Sequence, residues 1–232
     1  LDLSTGELAT APATAQGLAA DLDRIAPREV LLPESWLAAE GETAPWRDLA
    51  ERLSPLAASC FDSTAGERRL CEAYGVRALD AFGAFSRAEL GAAGALVEYV
   101  RLTQKGLVPR LGRPRRVEPA ALLQIDPASR RSLELTQGPD GSRQGSLLAA
   151  LDRTVTSAGG RLLVERLASP LADAAAIRRR LDEVECLVDA PDLRDSLRQE
   201  LRRVPDLQRA LSRIALARGG PRDLLAIGDG LE

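Results

Sequence analysis

The side chains able to do chemistry in this sequence are carboxylates, arginines and three cysteines. The chain has 34 acidic and 31 basic residues but no histidine. Imidazole acid–base catalysis, histidine-dependent triads and finger-type zinc sites are therefore excluded. Cys60, Cys71 and Cys186 are widely spaced and are predicted to be free thiols. Spacing alone places no carboxylate opposite another, so we predict that the chain itself catalyses no reaction.

Phosphate-binding chemistry is restricted to one basic stretch. No Gly-x4-Gly-Lys-Ser/Thr motif occurs, so we predict that the chain neither binds nor hydrolyses ATP. Residues 105–116 contain arginines and no acid. A contact with DNA phosphates through Arg110, Arg113, Arg115 and Arg116 is one interpretation, and a solvated interdomain linker is the other. Charge runs are usually solvated and the net charge is −3, which favours the linker.

Residues 1–105 are predicted to form a mixed α/β domain. A hairpin at the N-terminus, a helix capped by Thr14 and a strand at Val30–Leu32 make a crossover unit. Further along, the pattern predicts a loop with a marginal helix at 38–58, a strand at Ser59–Phe61, a helix at Ala65–Tyr74 and an amphipathic helix opened by a Ser86–Glu89 capping box. Residues 106–120 are the predicted linker.

Residues 121–232 are predicted to be almost wholly helical, because apolar residues recur at helical spacing. Asp173 caps one helix, and Pro221 with Asp223 starts the last. Thr156 or Ser157 caps another, which Pro170 ends. The pair Gly159–Gly160 lies in the first turns of that helix, where glycine costs about 1 kcal/mol relative to alanine. This pair predicts a kink or the close approach of another backbone.

Residues 144–171, QGSLLAALDRTVTSAGGRLLVERLASPL, resemble the core-domain signature of the MutS-type DNA mismatch repair ATPases. Residues 125–137 and 204–225 resemble flanking family stretches in the same order, and the opening Asp-x-Ser-Thr-Gly resembles a strand and turn of the family's connector domain. The family usually has methionine where Ala158 stands and tryptophan where Arg166 stands. The matching positions, to which the resemblance assigns structural roles, are Asp126, Gly145, Asp152, Thr154, Thr156, Gly159, Arg161, Leu163, Pro170, Asp206, Arg213, Pro221 and Asp223.

The resemblance implies an α+β multidomain fold. An RNase H-like connector, incomplete at its N-terminus, would occupy residues 1–105, and an all-α core, or lever, domain truncated at its C-terminus would occupy residues 121–232. These segments would couple ATPase state to the DNA clamp levers and present a surface to MutL. The longer protein would bind ATP or ADP with magnesium, mismatched double-stranded DNA and a homodimer partner, in the bacterial cytoplasm near the nucleoid and without a membrane association.

Two other interpretations remain open at this point. One is a recombination-related paralogue of the MutS type, although a connector ahead of the core argues against it. The other is a non-enzymatic helical interaction module that carries an α/β domain. The chain also contains no methionine, which predicts that it is a piece of a longer protein.

Overall fold

In the part of the chain that the structure describes, four short strands form two parallel pairs. The computed structural model describes residues 1–39, 44–118 and 121–231, except for the side chains of Ala38 and Ala39. Strand β1 (Ala9–Thr10) pairs with β4 (Arg115–Arg116), and β2 (Val30–Pro33) pairs with β3 (Leu53–Leu56). The strand predicted at Val30–Leu32 is thus confirmed.

Four local predictions for the first part of the chain are wrong. The first is the cap by Thr14, because the helix Leu18–Ile25 has Gly17 as its N-cap and no side chain caps it. Strand β3 (Leu53–Leu56) lies where a loop with a marginal helix was predicted. The sequence does not reveal this strand, because a proline such as Pro55 is rare inside strands. Residues 40–43 of that interval lie outside the described residues. The expected N-terminal hairpin is a single bridge, Asp2 to Glu7. The expected strand at Ser59–Phe61 is a 3-10 helix, Ala58–Phe61, which turns directly into a helix capped by Asp62.

The chain divides into two compact units. Unit 1 comprises Leu1–Leu22, Ala26–Val117 and Gln208–Leu224, and unit 2 comprises Asp23–Ile25, Glu118–Leu207 and Leu225–Glu232. Helices α1 (Leu18–Ile25), α2 (Glu34–Ala39), α3 (Ser63–Tyr74) and α4 (Arg87–Thr103) precede residue 104, with 3-10 turns at Arg47–Arg52 and Asp80–Phe82. The predicted domain boundaries and linker stay a prediction.

The hydrophobic core of unit 1 lies around α3 and α4. Its buried members are Leu8, Leu70, Leu79, Ala93, Val97 and Leu111. The two helices approach closely because glycines face each other, and a Cβ on Gly94 would lie 2.2 Å from the Cα of Gly66. The predicted capping box is confirmed: Glu89 N–H donates to Ser86 Oγ at 3.2 Å, and Ser86 N–H donates to Glu89 Oε2 at 2.8 Å. The start of α4 is therefore fixed by local chemistry.

Beyond residue 120 the regular secondary structure of the described chain is helical, with one isolated bridge between Leu122 and Leu171. The predicted helical character of this part is confirmed. The helices are α5 (Pro127–Leu133), α6 (Leu147–Leu151), α7 (Ser157–Ala168), α8 (Ala174–Asp189), α9 (Pro191–Leu201), α10 (Leu207–Ala215) and α11 (Pro221–Asp229). Among the described residues, no helix is both long enough and apolar enough to cross a membrane.

The apolar faces of α8 and α9 are largely exposed. Each of their large apolar residues has more than a third of its surface exposed: Ile177, Leu181, Val184, Leu187, Val188, Leu193, Leu197 and Leu201. In α6, Leu148 is buried, whereas Leu147 and Leu151 are exposed.

Candidate functional site

The basic stretch 105–116 is packed into unit 1 instead of being solvated along its length. Leu111 belongs to the core, and Val117 N–H donates to Thr10 O at 2.7 Å. Three of the arginines have partners within the chain. Arg113 Nη2 donates to Ala81 O at 3.0 Å, Arg115 lies 3.6 Å from the Glu7 carboxylate, and Arg116 Nε lies 3.0 Å from Glu89 Oε1. Arg110 is exposed.

Glu89 is the centre of a buried polar network. Its side chain caps α4, accepts from Thr10 Oγ1 at 3.1 Å and from Arg116 Nε at 3.0 Å, and the residue is only 4% exposed. Burial raises the pKa of Glu89, but hydrogen bonds from Ser86, Arg116 and Thr10 outweigh it and leave the pKa below its ordinary value. Arg116 therefore compensates a buried carboxylate. A DNA contact by the four arginines stays a prediction.

The signature residues Asp152, Thr154 and Thr156 form the approach to α7. The Asp152 carboxylate accepts from the Thr154 N–H at 2.8 Å and from its hydroxyl at 2.7 Å, and it pairs with Arg143. Thr156 is the N-cap, and its hydroxyl accepts from Gly159 N–H at 2.9 Å. Asp152 and Thr156 thus accept hydrogen bonds from backbone N–H groups at and just before the start of α7, groups that have no partner within the helix.

The surroundings of Gly159 and Gly160 differ from the prediction. A Cβ on Gly159 would lie 2.9 Å from Thr156 Oγ1 and 3.6 Å from Thr154 Cβ, and one on Gly160 would lie 3.4 Å from Thr154 Oγ1. The expected approach of another backbone is wrong, because the neighbours are the two capping threonines. The glycines make room for the cap itself.

Two arginine–aspartate pairs join signature residues that are distant in sequence. Arg161 Nη1 donates to Asp206 Oδ2 at 2.6 Å, and Arg161 Nη2 donates to Asp206 Oδ1 at 3.0 Å. Arg213 Nε donates to Asp223 Oδ1 at 2.9 Å, while Asp223 Oδ2 accepts from Gly220 N–H at 2.9 Å. The Arg213 guanidinium and the Gly220 amide lower the pKa of Asp223. The second pair fixes the start of α11, which begins at Pro221 as predicted.

The remaining signature residues also occupy structural positions. Asp126 caps α5 by accepting from Ala128 and Ser129 N–H, both at 3.0 Å. Gly145 has φ +78° and precedes the cap of α6, Pro170 O accepts from Leu123 N–H at 2.8 Å, and Leu163 is half-buried. Ala158 and Arg166 are exposed here, so the change from the family's methionine and tryptophan needs no compensating bulk in this structure.

Sequence reasoning missed Arg130, which lies buried in unit 2. Its Nη1 donates to Ala168 O at 2.9 Å, at the C-terminal end of α7, and its Nε lies 3.5 Å from Asp23 Oδ2. Burial lowers the pKa of Arg130, and the Asp23 carboxylate opposes that shift. Nothing local distinguishes it from its exposed neighbour Arg131, so the sequence offered no signal.

Replacing Asp152 with asparagine should make the approach to α7 less stable at neutral pH. Hydrogen bonds from Thr154 and the Arg143 guanidinium lower the pKa of Asp152 to about 2. A carboxyl group whose pKa is lower in the folded state stabilises the fold at any pH above its unfolded pKa, which is about 3.9 for aspartate. This contribution is lost as the pH falls through the folded pKa. Unfolding curves measured by circular dichroism should therefore give a lower free energy of unfolding for Asp152→Asn than for wild type at neutral pH. This difference should shrink below about pH 4. A difference independent of pH would contradict this assignment.

Chemistry beyond these contacts is sparse. Within residues 1–39, 44–118 and 121–231, no three histidine, cysteine, aspartate or glutamate residues are grouped to hold a metal ion. Cys60, Cys71 and Cys186 form no disulfide, as predicted. Of the signature residues, Asp126 and Thr156 are helix caps, and Arg161–Asp206 and Arg213–Asp223 are ion pairs.

Comparisons with known proteins agree with the signature. The family model described as MutS domain II matches residues 1–113, and that described as MutS domain III matches residues 128–232. The DNA mismatch repair protein MutS of Dinoroseobacter shibae is 51% identical over 235 residues, which cover 100% of this chain and 26% of that protein. The MutS proteins of Rhizobium meliloti and Rhodopseudomonas palustris are 50% and 49% identical over 232 residues, each covering 100% of this chain and 25% of the relative. The chain thus spans about a quarter of the length of these relatives, and it belongs to the MutS family.

Proposed function

We propose that the chain supplies the connector and the first part of the helical core of a DNA mismatch repair protein. The observation that carries this proposal is the order of the two matched models, domain II before domain III, across nearly the whole chain. By the resemblance, the first part has an RNase H-like fold without nuclease chemistry, and the second part extends toward the DNA clamp. Its work is mechanical and not catalytic.

The contacts in unit 2 suit a part that transmits force. Helix α7 is capped at its start by Thr156, held at its end by Arg130 and tied by Arg161 to Asp206. Bidentate arginine–carboxylate pairs fix geometry as well as adding stability. We infer that the exposed apolar faces of α8 and α9 pack against other helices of the longer protein. A helix face with many exposed apolar residues is a common mark of an interaction surface.

In the longer protein, this part would couple ATP or ADP exchange, with magnesium, to clamp levers that hold mismatched double-stranded DNA. The protein would act as a homodimer on chromosomal DNA in the bacterial cytoplasm. A recombination-related paralogue and a free-standing interaction module are the alternatives. The relatives that match the whole chain are named as mismatch repair proteins, which favours the mismatch repair assignment over both alternatives.

The connector should present a surface to MutL, and this can be tested on the chain itself. We expect sedimentation velocity of the chain with its cognate MutL to give a mixed species at tens of micromolar, roughly the range of weak transient contacts. Serum albumin in place of MutL is the control. Concentration-dependent homo-oligomers without a mixed species would contradict the proposal, because unpaired strand edges then drive self-association instead.

DNA binding by the chain alone should be weak, salt-sensitive and indifferent to a mismatch. The net charge is −3, and Arg113, Arg115 and Arg116 already have partners in the chain. Exposed Arg110 is the arginine we expect to contribute most, so Arg110→Gln should lower the affinity while Arg166→Gln, exposed on α7, should not. Fluorescence anisotropy on paired and mispaired duplexes measures this at two salt concentrations. A preference of roughly tenfold or more for the mispaired duplex, about 1.4 kcal/mol, would contradict it.

A further inference from the structure

Residues 112–117 run alongside residues 6–10 in unit 1. Three backbone hydrogen bonds join the two stretches: Gly112 N–H to Gly6 O at 2.9 Å, Arg115 N–H to Leu8 O at 2.9 Å and Val117 N–H to Thr10 O at 2.7 Å. Within these stretches, β1 and β4 pair over two residues each. Two isolated strands that pair with each other are only marginally stable in water. The backbone pairing alone is therefore a weak hold on β4.

The carboxylate of Glu89 joins β1, β4 and α4. Arg116 Nε, on β4, donates to Glu89 Oε1 at 3.0 Å, and Thr10 Oγ1, on β1, donates to the same oxygen at 3.1 Å. The other oxygen, Oε2, accepts from Ser86 N–H at 2.8 Å. Ser86 is the N-cap of α4. One carboxylate thus binds donors from both strands and from the start of the helix.

The charge on this carboxylate makes the contacts depend on one another. The side chain of Glu89 is 3% exposed and that of Arg116 is 40% exposed. A buried carboxylate costs free energy unless a positive group and hydrogen bonds compensate it. Detachment of β4 would remove Arg116, so Glu89 would have to turn toward water and release Ser86 N–H. Opening of the cap would in turn deprive Arg116 of its acceptor.

We propose that Arg116 and Glu89 form a clasp that makes β4 and the start of α4 open and close together. Arg116 is a positioning residue, because it acts on the cap of α4 through Glu89 while lying outside that helix. The use of the clasp rests on the proposed function. The chain leaves unit 1 after Val117, so a pull along the chain that follows acts on β4. The clasp passes this pull to α4.

Amide hydrogen exchange of the whole chain, measured by nuclear magnetic resonance, tests the clasp at single residues. Arg116→Gln should speed exchange roughly tenfold both at Val117 N–H and at Ser86 N–H, because the uncompensated Glu89 carboxylate turns to water. Glu89→Gln keeps a side chain that can cap α4 but binds Arg116 less tightly, so it should speed exchange at Val117 N–H. Exchange in the middle of α3 should stay as in wild type.

Two further variants separate the effect of charge from that of side-chain shape. Arg115→Gln, also on β4, removes a half-exposed ion pair with Glu7 and should leave exchange at Ser86 N–H unchanged. Combining Arg116→Gln with Glu89→Gln removes both charges, so exchange at Ser86 N–H should return toward wild type. Unchanged exchange at Ser86 N–H in Arg116→Gln, equal acceleration throughout the chain, or no rescue by the double variant would overturn the clasp. The measurement contains no MutL, so its failure is distinct from a failure of the proposed partner binding.

Discussion

Replacing Gly94 with alanine should destabilise unit 1. A Cβ there would lie 2.2 Å from the Cα of Gly66 and 3.1 Å from its carbonyl oxygen, which are backbone atoms of the facing helix α3. The helices must separate, and overpacking of this kind costs about 1–3 kcal/mol or more. Alanine's better helix propensity returns about 1 kcal/mol, so we expect a net loss in the free energy of unfolding.

Denaturant unfolding followed by tryptophan fluorescence measures the loss, because both tryptophans, Trp36 and Trp46, lie in unit 1. Gly228→Ala is the matched control. Gly228 is in helix α11, and a Cβ there would meet nothing within 4 Å, so this substitution should be neutral or stabilise by up to about 1 kcal/mol. Equal stability of Gly94→Ala and wild type would mean that α3 and α4 do not approach as closely as described.

Replacing Asp206 with asparagine should destabilise unit 2 by about 2–3 kcal/mol, somewhat less than the cost of breaking a fully buried ion pair. Asparagine keeps the shape but removes the charge that binds both Nη atoms of Arg161, at a site where the two side chains are 25% and 18% exposed. Glu200→Gln is the control, since Arg203 and Glu200 are 78% and 68% exposed and such pairs contribute about 0–1 kcal/mol.

Circular dichroism should show this loss for Asp206→Asn, while the tryptophan fluorescence transition of unit 1 stays unchanged. If Glu200→Gln and Asp206→Asn lower the free energy of unfolding equally, the Arg161–Asp206 pair contributes no more than a surface ion pair. The structural role assigned to it would then be wrong.

The sequence predicted helix caps and other contacts between residues that are close together in the chain. The caps by Thr156 and Asp173, the Ser86–Glu89 box and the start of α11 at Pro221 are confirmed, because each depends on hydrogen bonds within three or four residues. Such bonds leave a signature in the order of residue types.

Contacts between distant residues could not be predicted in the same way. Arg116 binds Glu89 across 27 residues, and Arg161 binds Asp206 across 45, yet neither spacing has a periodicity to detect. The strand Leu53–Leu56 depends on its parallel partner Val30–Pro33 and contains a proline, so its own composition argues against it. For Arg161 and Asp206, the resemblance to a family marked the positions without giving their partnership.

The most direct test of the proposed function is which unit carries the surface for MutL. Sedimentation velocity of wild type, Gly94→Ala and Asp206→Asn with MutL separates the two units, because the first substitution damages unit 1 and the second damages unit 2. We predict equal amounts of the mixed species for wild type and Asp206→Asn, and less of it for Gly94→Ala. A mixed species that survives Gly94→Ala but disappears with Asp206→Asn would contradict the assignment of partner binding to the connector.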